Sequence, residues 1–205
     1  MILEKIREQT KSAHEQLEKN PASLILISET MNRAQYVQLL GRYLGYFGPL
    51  EQRIFATPVP HDVQPFLPAD FAQRRRAHFL KSDLESCGLA AQEIERLPVC
   101  ASLPSVENFA QALGCLYVLE GSGLGGQVIL AHLKRSLNLD KTNGARFFAG
   151  NERATWKKWH VFTEFLQNFG AHCETQNGGQ VDEVIAAAIN TFACFDSWLR
   201  QDAQN

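Results

Sequence analysis

Five residues near the N-terminus share one face of a predicted helix and could together hold a metal-containing ligand. Arg7, Thr10, Lys11 and Glu18 lie at helical spacing from His14, on the same side. A neutral imidazole can bind iron through one nitrogen while a carboxylate one turn away accepts a hydrogen bond from the other. The cationic side chains could meet the carboxylates of a ligand. A surface histidine among solvated charges would give the same pattern, and for this helix alone it is the commoner situation.

Four glycines, at positions 121, 123, 125 and 126, interrupt an otherwise apolar helical pattern. Each glycine inside a helix costs about 1 kcal/mol relative to alanine, so the cluster needs a cause. A bend, or the close approach of a backbone or a flat macrocyclic ligand, would provide one. A tight helix crossing through small residues is an alternative. A phosphate-binding loop is disfavoured because a helical pattern from Ser105 precedes the cluster and no GK[ST] follows.

Hydrophobic residues recur at helical spacing almost throughout, and no segment alternates long enough to predict a strand. The sequence therefore predicts an all-α fold and a single domain over residues 1–205. Helices are expected at about Leu3–Lys19, Ser23–Glu29, Asn32–Ala56 with a kink at Pro49, Asp70–Cys87, Ala91–Arg96, Ser105–Asn138, Glu152–Phe169 and Val181–Arg200. In this prediction Asp70 and Ser105 are N-caps. Loops are expected at residues 57–70, at NLDKTNG, and around Asn177–Gln180.

Charge, cysteine content and apolar segments disfavour several classes of function and location for this protein. The formal net charge is −2, which gives no reason to expect nucleic acid as a partner. The five cysteines are scattered and form no CxxC pair, as in a reducing cytosol. The N-terminal segment lacks the apolar run of a secretory signal, so we expect a cytoplasmic protein. The most apolar segment, 109–133, contains Glu120 and the glycines, which favours a buried helix over a membrane span.

The histidine face and the glycine cluster together resemble motifs of the biliverdin-producing heme oxygenases, especially the bacterial type. The resemblance covers nearly the whole chain. It depends on I-R-x-x-T-x-x-x-H-x-x-x-E at Ile6–Glu18 and Y-V-L-E-G-S-G-L-G-G-Q at Tyr117–Gln127, with a less specific match, T-F-x-x-F-x-x-W-L, at Thr191–Leu199. It implies a single-domain multi-helix bundle with heme b between the first (proximal) helix and a kinked, glycine-rich (distal) helix.

The same resemblance implies roles for individual residues. His14 would be the iron ligand, Glu18 its partner, and Arg7 and Lys11 would face the propionates. The catalytic residues implied are His14, Gly121, Ser122, Gly125 and Gly126; the heme-binding residues implied are Arg7, Lys11, His14, Glu18, Tyr117, Gly121, Gly125 and Gly126. Animal members carry an aspartate where this chain has Ser122, so the group that organises distal water is left open. Lys157 or Lys158 could add a propionate contact, although a solvated charge is the better interpretation.

The activity implied is oxidative cleavage of heme to biliverdin, with release of ferrous iron and CO. It uses O2 and electrons from an external donor such as a ferredoxin or reductase, since the sequence contains no flavin, nicotinamide or iron–sulfur motif. A bilin-accepting protein would be a further partner; no nucleic-acid or membrane partner is expected. A non-catalytic heme-binding or heme-delivery protein on the same fold is the alternative.

Two other enzymes on a similar helical architecture are disfavoured. A thiaminase-like hydrolase needs a nucleophilic thiol, but Cys115 and Cys194 lie in apolar helical patterns. A di-iron oxidase needs repeated Glu and His ligands on facing helices, and no such set is found. The remaining histidines, at positions 61, 78, 132, 160 and 172, are predicted to be surface or packing residues.

Overall fold

The structure, a computed structural model, describes residues 1–150, 154–175 and 179–201. Within these ranges its regular secondary structure is entirely helical, which confirms the predicted all-α class. The helices are α1 (Ile2–Glu18), α2 (Pro21–Ile25), α3 (Arg33–Ala56), α4 (Ala77–Ser86), α5 (Ala91–Glu95), α6 (Phe109–Leu137), α7 (Arg146–Ala149), α8 (Thr155–Glu174) and α9 (Gly179–Arg200). Short 3-10 turns occur at Gln64–Phe66 and Phe71–Gln73.

The glycine-rich helix α6 lies at the centre of the bundle and packs against α3, α7, α8 and α9, while α1 packs against α8 and α9. The absence of a side chain at Gly114 allows α6 to cross α9 at close range, because a Cβ there would overlap the backbone carbonyl of Val184 on α9.

α6 is long and apolar enough to cross a membrane by length and composition. Half of its most apolar window is buried in the fold, however, and Glu120 within it is ion-paired with Arg74. These are features of a core helix in a folded domain.

Both predicted N-caps were wrong. Asp70 makes no capping hydrogen bond; the start of α4 is instead satisfied by Glu51, whose carboxylate accepts the backbone N–H groups of Arg76 and Ala77. Asn108, not Ser105, caps α6, and its side chain accepts the N–H of Gln111 at 3.0 Å. Glu51 comes from a distant helix, so local sequence could not have indicated it.

The other boundaries differ in detail. α2 begins at Pro21, because proline fits the first helical position, where its missing N–H is not needed. α3 continues as a helix through Pro49. α6 ends at Leu137 with Asn138 in the left-handed conformation, close to the predicted end.

The C-terminal helices also extend beyond their predicted limits. α8 runs to Glu174, beyond the predicted Phe169. Residues 151–153 and 176–178 lie outside the described part, and so do the predicted start at Glu152 and positions 177 and 178 of the predicted loop. The last two positions of that loop, 179 and 180, belong to α9.

The short helix α7 was not predicted. Asp83 of α4 holds its first turn, because the Asp83 carboxylate accepts the N–H groups of Arg146 and Phe147 at 2.7 and 2.8 Å. Four residues of a helix are marginal without such tertiary support. The consequence for the site is that Phe147 and Phe148 become fixed in the wall of a cavity.

Candidate functional site

A large cavity of about 790 Å³ lies between α1 and α6. Its volume falls in the upper part of the ~300–1,000 Å³ range of small-molecule sites. α3, α7, α8 and α9 close it mainly with aromatic side chains. These are Tyr43, Tyr46, Phe47, Phe147, Phe148, Trp156, Trp159, Phe192 and Phe195. The walls therefore suit a large, flat, apolar ligand.

The polar residues of the cavity come mostly from α1. All five residues of the predicted histidine face (Arg7, Thr10, Lys11, His14 and Glu18) line it. The imidazole of His14 packs edge-on against Phe192 at 5.5 Å between ring centroids, and 55% of its side chain is exposed. Its Nδ1 lies 3.6 Å from Oε1 of Glu18, an ion-pair distance beyond hydrogen-bond length. Among the described residues Nε2 has no hydrogen-bond partner, so that nitrogen can bind a ligand in the cavity.

Two cationic side chains stand at the polar part of the wall. Arg7 lies beside Tyr117, and although burial raises the pKa of that phenol, the nearby Arg7 charge opposes the rise. Lys11 is exposed and its Nζ lies 4.0 Å from Glu15, a contact that leaves it free to turn toward a ligand. Both cations suit carboxylates at the edge of an otherwise apolar ligand.

The glycines of the cluster face in different directions. Gly121 and Gly125 line the cavity: a Cβ at 125 would meet nothing within 4 Å, and one at 121 would touch only Trp159. Gly126 is not in the cavity wall; a Cβ there would lie 2.5 Å from the carbonyl oxygen of Phe148. Gly123 faces Arg76. Two glycines of the cluster therefore border the cavity, and the other two allow neighbouring groups to approach α6 closely.

Ser122 and Tyr117 also line the cavity. The Ser122 hydroxyl donates to the carbonyl of Leu119 at 2.7 Å and accepts a hydrogen bond from Arg76 at 3.1 Å. Its hydrogen is thus already engaged with the helix, which limits Ser122 as a donor to a ligand. Arg76 was not singled out from the sequence, in which it is the last of three consecutive arginines.

Trp159 is a second residue that sequence reasoning missed. Its indole packs at a tilt against Tyr117, with 5.4 Å between ring centroids, and lies next to Gly121. A tryptophan on α8 carries no local signal that it will face a glycine of α6, because the two residues are brought together only by helix packing.

The remaining candidates lie elsewhere. Lys157 and Lys158 and the other five histidines are absent from the cavity wall; His172, for example, pairs with Asp62 at 2.7 Å.

Burial raises the pKa of Cys115 to about 11, which disfavours a nucleophilic thiolate. In the described ranges no cluster of three or more His, Cys, Asp or Glu side chains could hold a metal ion.

Comparison with known proteins agrees with this geometry. The family model described as "Heme oxygenase" matches residues 1–201. A heme oxygenase of Xanthomonas campestris pv. campestris (strain 8004) is 31% identical over 135 residues, which is 64% of this chain and 71% of that protein.

Two solved structures share the fold. The NO- and CO-bound heme oxygenase of Neisseria meningitidis superposes with a TM-score of 0.75 at 19% identity, covering 98% of this chain and 91% of that one. Heme oxygenase-1 of the cyanobacterium Synechocystis sp. PCC6803, in complex with heme, gives a TM-score of 0.71 at 14% identity, covering 99% and 93%.

Proposed function

The chain belongs to the heme oxygenase family and is a heme-degrading enzyme, and we propose that it binds heme in the cavity between α1 and α6 with His14 as the iron ligand. One observation carries this proposal: among the described residues, one imidazole and two glycines of α6 border the same aromatic cavity. The cavity size, its apolar walls and the unpartnered Nε2 all fit a porphyrin held through its iron. Heme b, when bound, is both cofactor and substrate, because the same macrocycle is oxidised.

Individual residues would have the following roles. His14 holds the iron, and the Glu18 carboxylate beside Nδ1 favours the tautomer with its proton on that nitrogen. Arg7 and Lys11 meet the propionates at the polar edge. Gly121 and Gly125 leave room for the flat ring and for O2 against the backbone of α6, and the aromatic walls exclude bulk water. Gly126 acts indirectly, through the packing of α6 on Phe148.

We further propose that the product is biliverdin, with CO and ferrous iron released, and that electrons arrive from an external ferredoxin or reductase. A bilin-accepting protein and a cytoplasmic location belong to the same proposal. Support for an external donor comes from the sequence, which contains no motif for a flavin, a nicotinamide or an iron–sulfur cluster.

The experiment compares wild type with His14→Ala and with His61→Ala, an exposed histidine outside the cavity. Each is titrated with hemin, examined by resonance Raman for the iron–histidine vibration, and then given a reductant and O2. We expect the vibration and bilin formation in wild type and His61→Ala. In His14→Ala the vibration should vanish and turnover should fall by about 10-fold or more. Added imidazole should restore the vibration, because it can fill the space of the lost ring.

Two results would count against the proposal. An unchanged iron–histidine vibration in His14→Ala would show that another group binds the iron. A Soret band that persists in wild type under reductant and O2, with no bilin formed, would indicate a heme carrier instead of an enzyme.

A further inference from the structure

A buried arginine from outside the cavity contacts the cavity-facing turn of α6. Arg76 precedes α4 and is only 7% exposed. Its Nη1 donates to the carbonyl of Leu119 at 3.0 Å and to Oγ of Ser122 at 3.1 Å, while its Nη2 donates to the carbonyl of Phe147 at 3.0 Å. One guanidinium therefore joins α6 to α7 directly behind the cavity wall.

The position of Arg76 is fixed at its backbone as well. Its N–H donates to the buried carboxylate of Glu51 at 2.7 Å, and its guanidinium lies over the ring of Phe147, 4.4 Å from the centroid. Burial lowers the pKa of Arg76, while Glu120 and Glu51 partly offset that effect. A buried charge is retained only when it is well bonded, and here its side-chain hydrogen bonds go to the helices that form the cavity wall.

The bonding at Leu119 bears on the shape of α6. Its carbonyl receives two side-chain donors, the Arg76 guanidinium and the Ser122 hydroxyl. Side chains that bond into the hydrogen-bond ladder of a helix are a known cause of bends. They act here at Leu119, two residues before Gly121, in the part of α6 that borders the cavity.

Gly123 provides an independent observation. It does not line the cavity, yet a Cβ at this position would lie 3.2 Å from Nη1 of Arg76. A side chain at this position would crowd the guanidinium, so the glycine leaves room for Arg76 beside the backbone of α6. This gives one glycine of the cluster a role that substrate contact does not explain.

We infer that Arg76 is a positioning residue for the reaction: it holds the Leu119–Gly123 turn of α6 and the Phe147 wall in register, and so sets where Gly121 and Ser122 stand over the substrate. Arg76 itself does not line the cavity. The inference rests on the proposed function, in which this turn of α6 covers heme.

The first test needs no heme. Hydrogen exchange is measured by mass spectrometry on substrate-free wild type, Arg76→Met, Arg76→Lys and the control Arg42→Met. Arg42 is also buried and donates to a helix carbonyl, that of Trp198, but it lies outside the cavity wall. In Arg76→Met, amides 117–126 should exchange about 10-fold faster or more, because hydrogen bonds from a charged group are lost. Arg76→Lys, with its charge but a single ammonium, should lie between.

The second test uses turnover. Arg76→Met should lower kcat by about 10-fold while KM for hemin stays within about threefold, since positioning and not binding is lost. Arg76→Lys should recover part of kcat. If Arg76→Met does not fold, the same comparison is decided by Arg76→Lys.

Unchanged exchange at 117–126, or an equal change there in Arg42→Met, would overturn the inference. So would a loss of hemin binding with kcat intact. Failure of the proposed function would look different: wild type would form no bilin, whereas the exchange result in substrate-free protein would be unaffected.

Discussion

The adjacent glycines at 125 and 126 should respond in opposite ways to the same substitution. A Cβ at Gly125 enters open space in the cavity, whereas a Cβ at Gly126 would lie 2.5 Å from the carbonyl oxygen of Phe148. Both positions are inside α6, so the intrinsic gain from replacing glycine by alanine is the same at each. Comparing the two variants therefore distinguishes a glycine that leaves space for a ligand from a glycine that is needed for helix packing.

The magnitudes follow from these contacts. Gly125→Ala should stabilise the substrate-free protein by about 1 kcal/mol, the helix-propensity difference, which corresponds to a rise in Tm of about 2–4 °C for a chain of this size. Gly126→Ala gains the same amount but is overpacked, at a cost of about 1–3 kcal/mol. We thus expect the two variants to differ by about 1–3 kcal/mol, with Gly126→Ala the less stable.

For hemin binding, we expect a substitution at position 125 to have a larger effect than one at position 126. Gly125→Leu places a bulky side chain in the cavity, and an overpacking cost of about 1–3 kcal/mol corresponds to roughly 5- to 150-fold weaker hemin binding. Stability is measured by thermal unfolding followed by circular dichroism, and hemin affinity by Soret titration. Gly126→Ala, if folded at the assay temperature, should bind hemin nearly as wild type does.

Two outcomes would refute the reasoning. A Gly126→Ala protein at least as stable as Gly125→Ala would show that α6 does not pack on Phe148 as closely as the structure indicates. A Gly125→Leu protein with wild-type hemin affinity would show that the ligand does not occupy the space beside position 125.

Three further predictions concern carboxylates. Glu18→Gln should weaken hemin binding by only about tenfold in a Soret titration, because Glu18 is exposed and 3.6 Å from His14; a loss beyond hundredfold would contradict this. Glu51→Gln should lower the free energy of unfolding by about 1–3 kcal/mol in urea, since Glu51 caps α4, while the exposed Glu29→Gln should change it little. Burial raises the pKa of Asp196, but hydrogen bonds from neighbouring side chains outweigh it and leave the pKa below its ordinary 3.8. The ionised form therefore stabilises the fold above that value, and the contribution is lost as the pH falls from about 4 through the lowered pKa. Wild type should lose more unfolding free energy between pH 7 and pH 3 than Asp196→Asn, and an equal loss would exclude this role.

Much of the fold could be predicted because its signals are local. Helical periodicity located the long helices, and the turn sequence NLDKTNG marked the end of α6 near Asn138. The N-cap of α4 was mistaken because the group that satisfies it is remote, Glu51 on another helix. The helix α7 was missed for the same reason, since Asp83 supports it across 63 positions of sequence. No window of sequence contains both partners of such a contact.

The candidate site shows the same difference between features set by local sequence and features set by tertiary packing. The amino-acid sequence by itself placed His14, Glu18 and the cations on one helix face and marked the glycine segment, because those relationships repeat with the period of a single helix. Only the tertiary structure decided which glycines open on the cavity, that Gly126 packs on Phe148, and that Arg76 stands behind Ser122. The physical reason is that a glycine has no side chain to show a direction in sequence, so what occupies the space beside it is set by the helices that pack there.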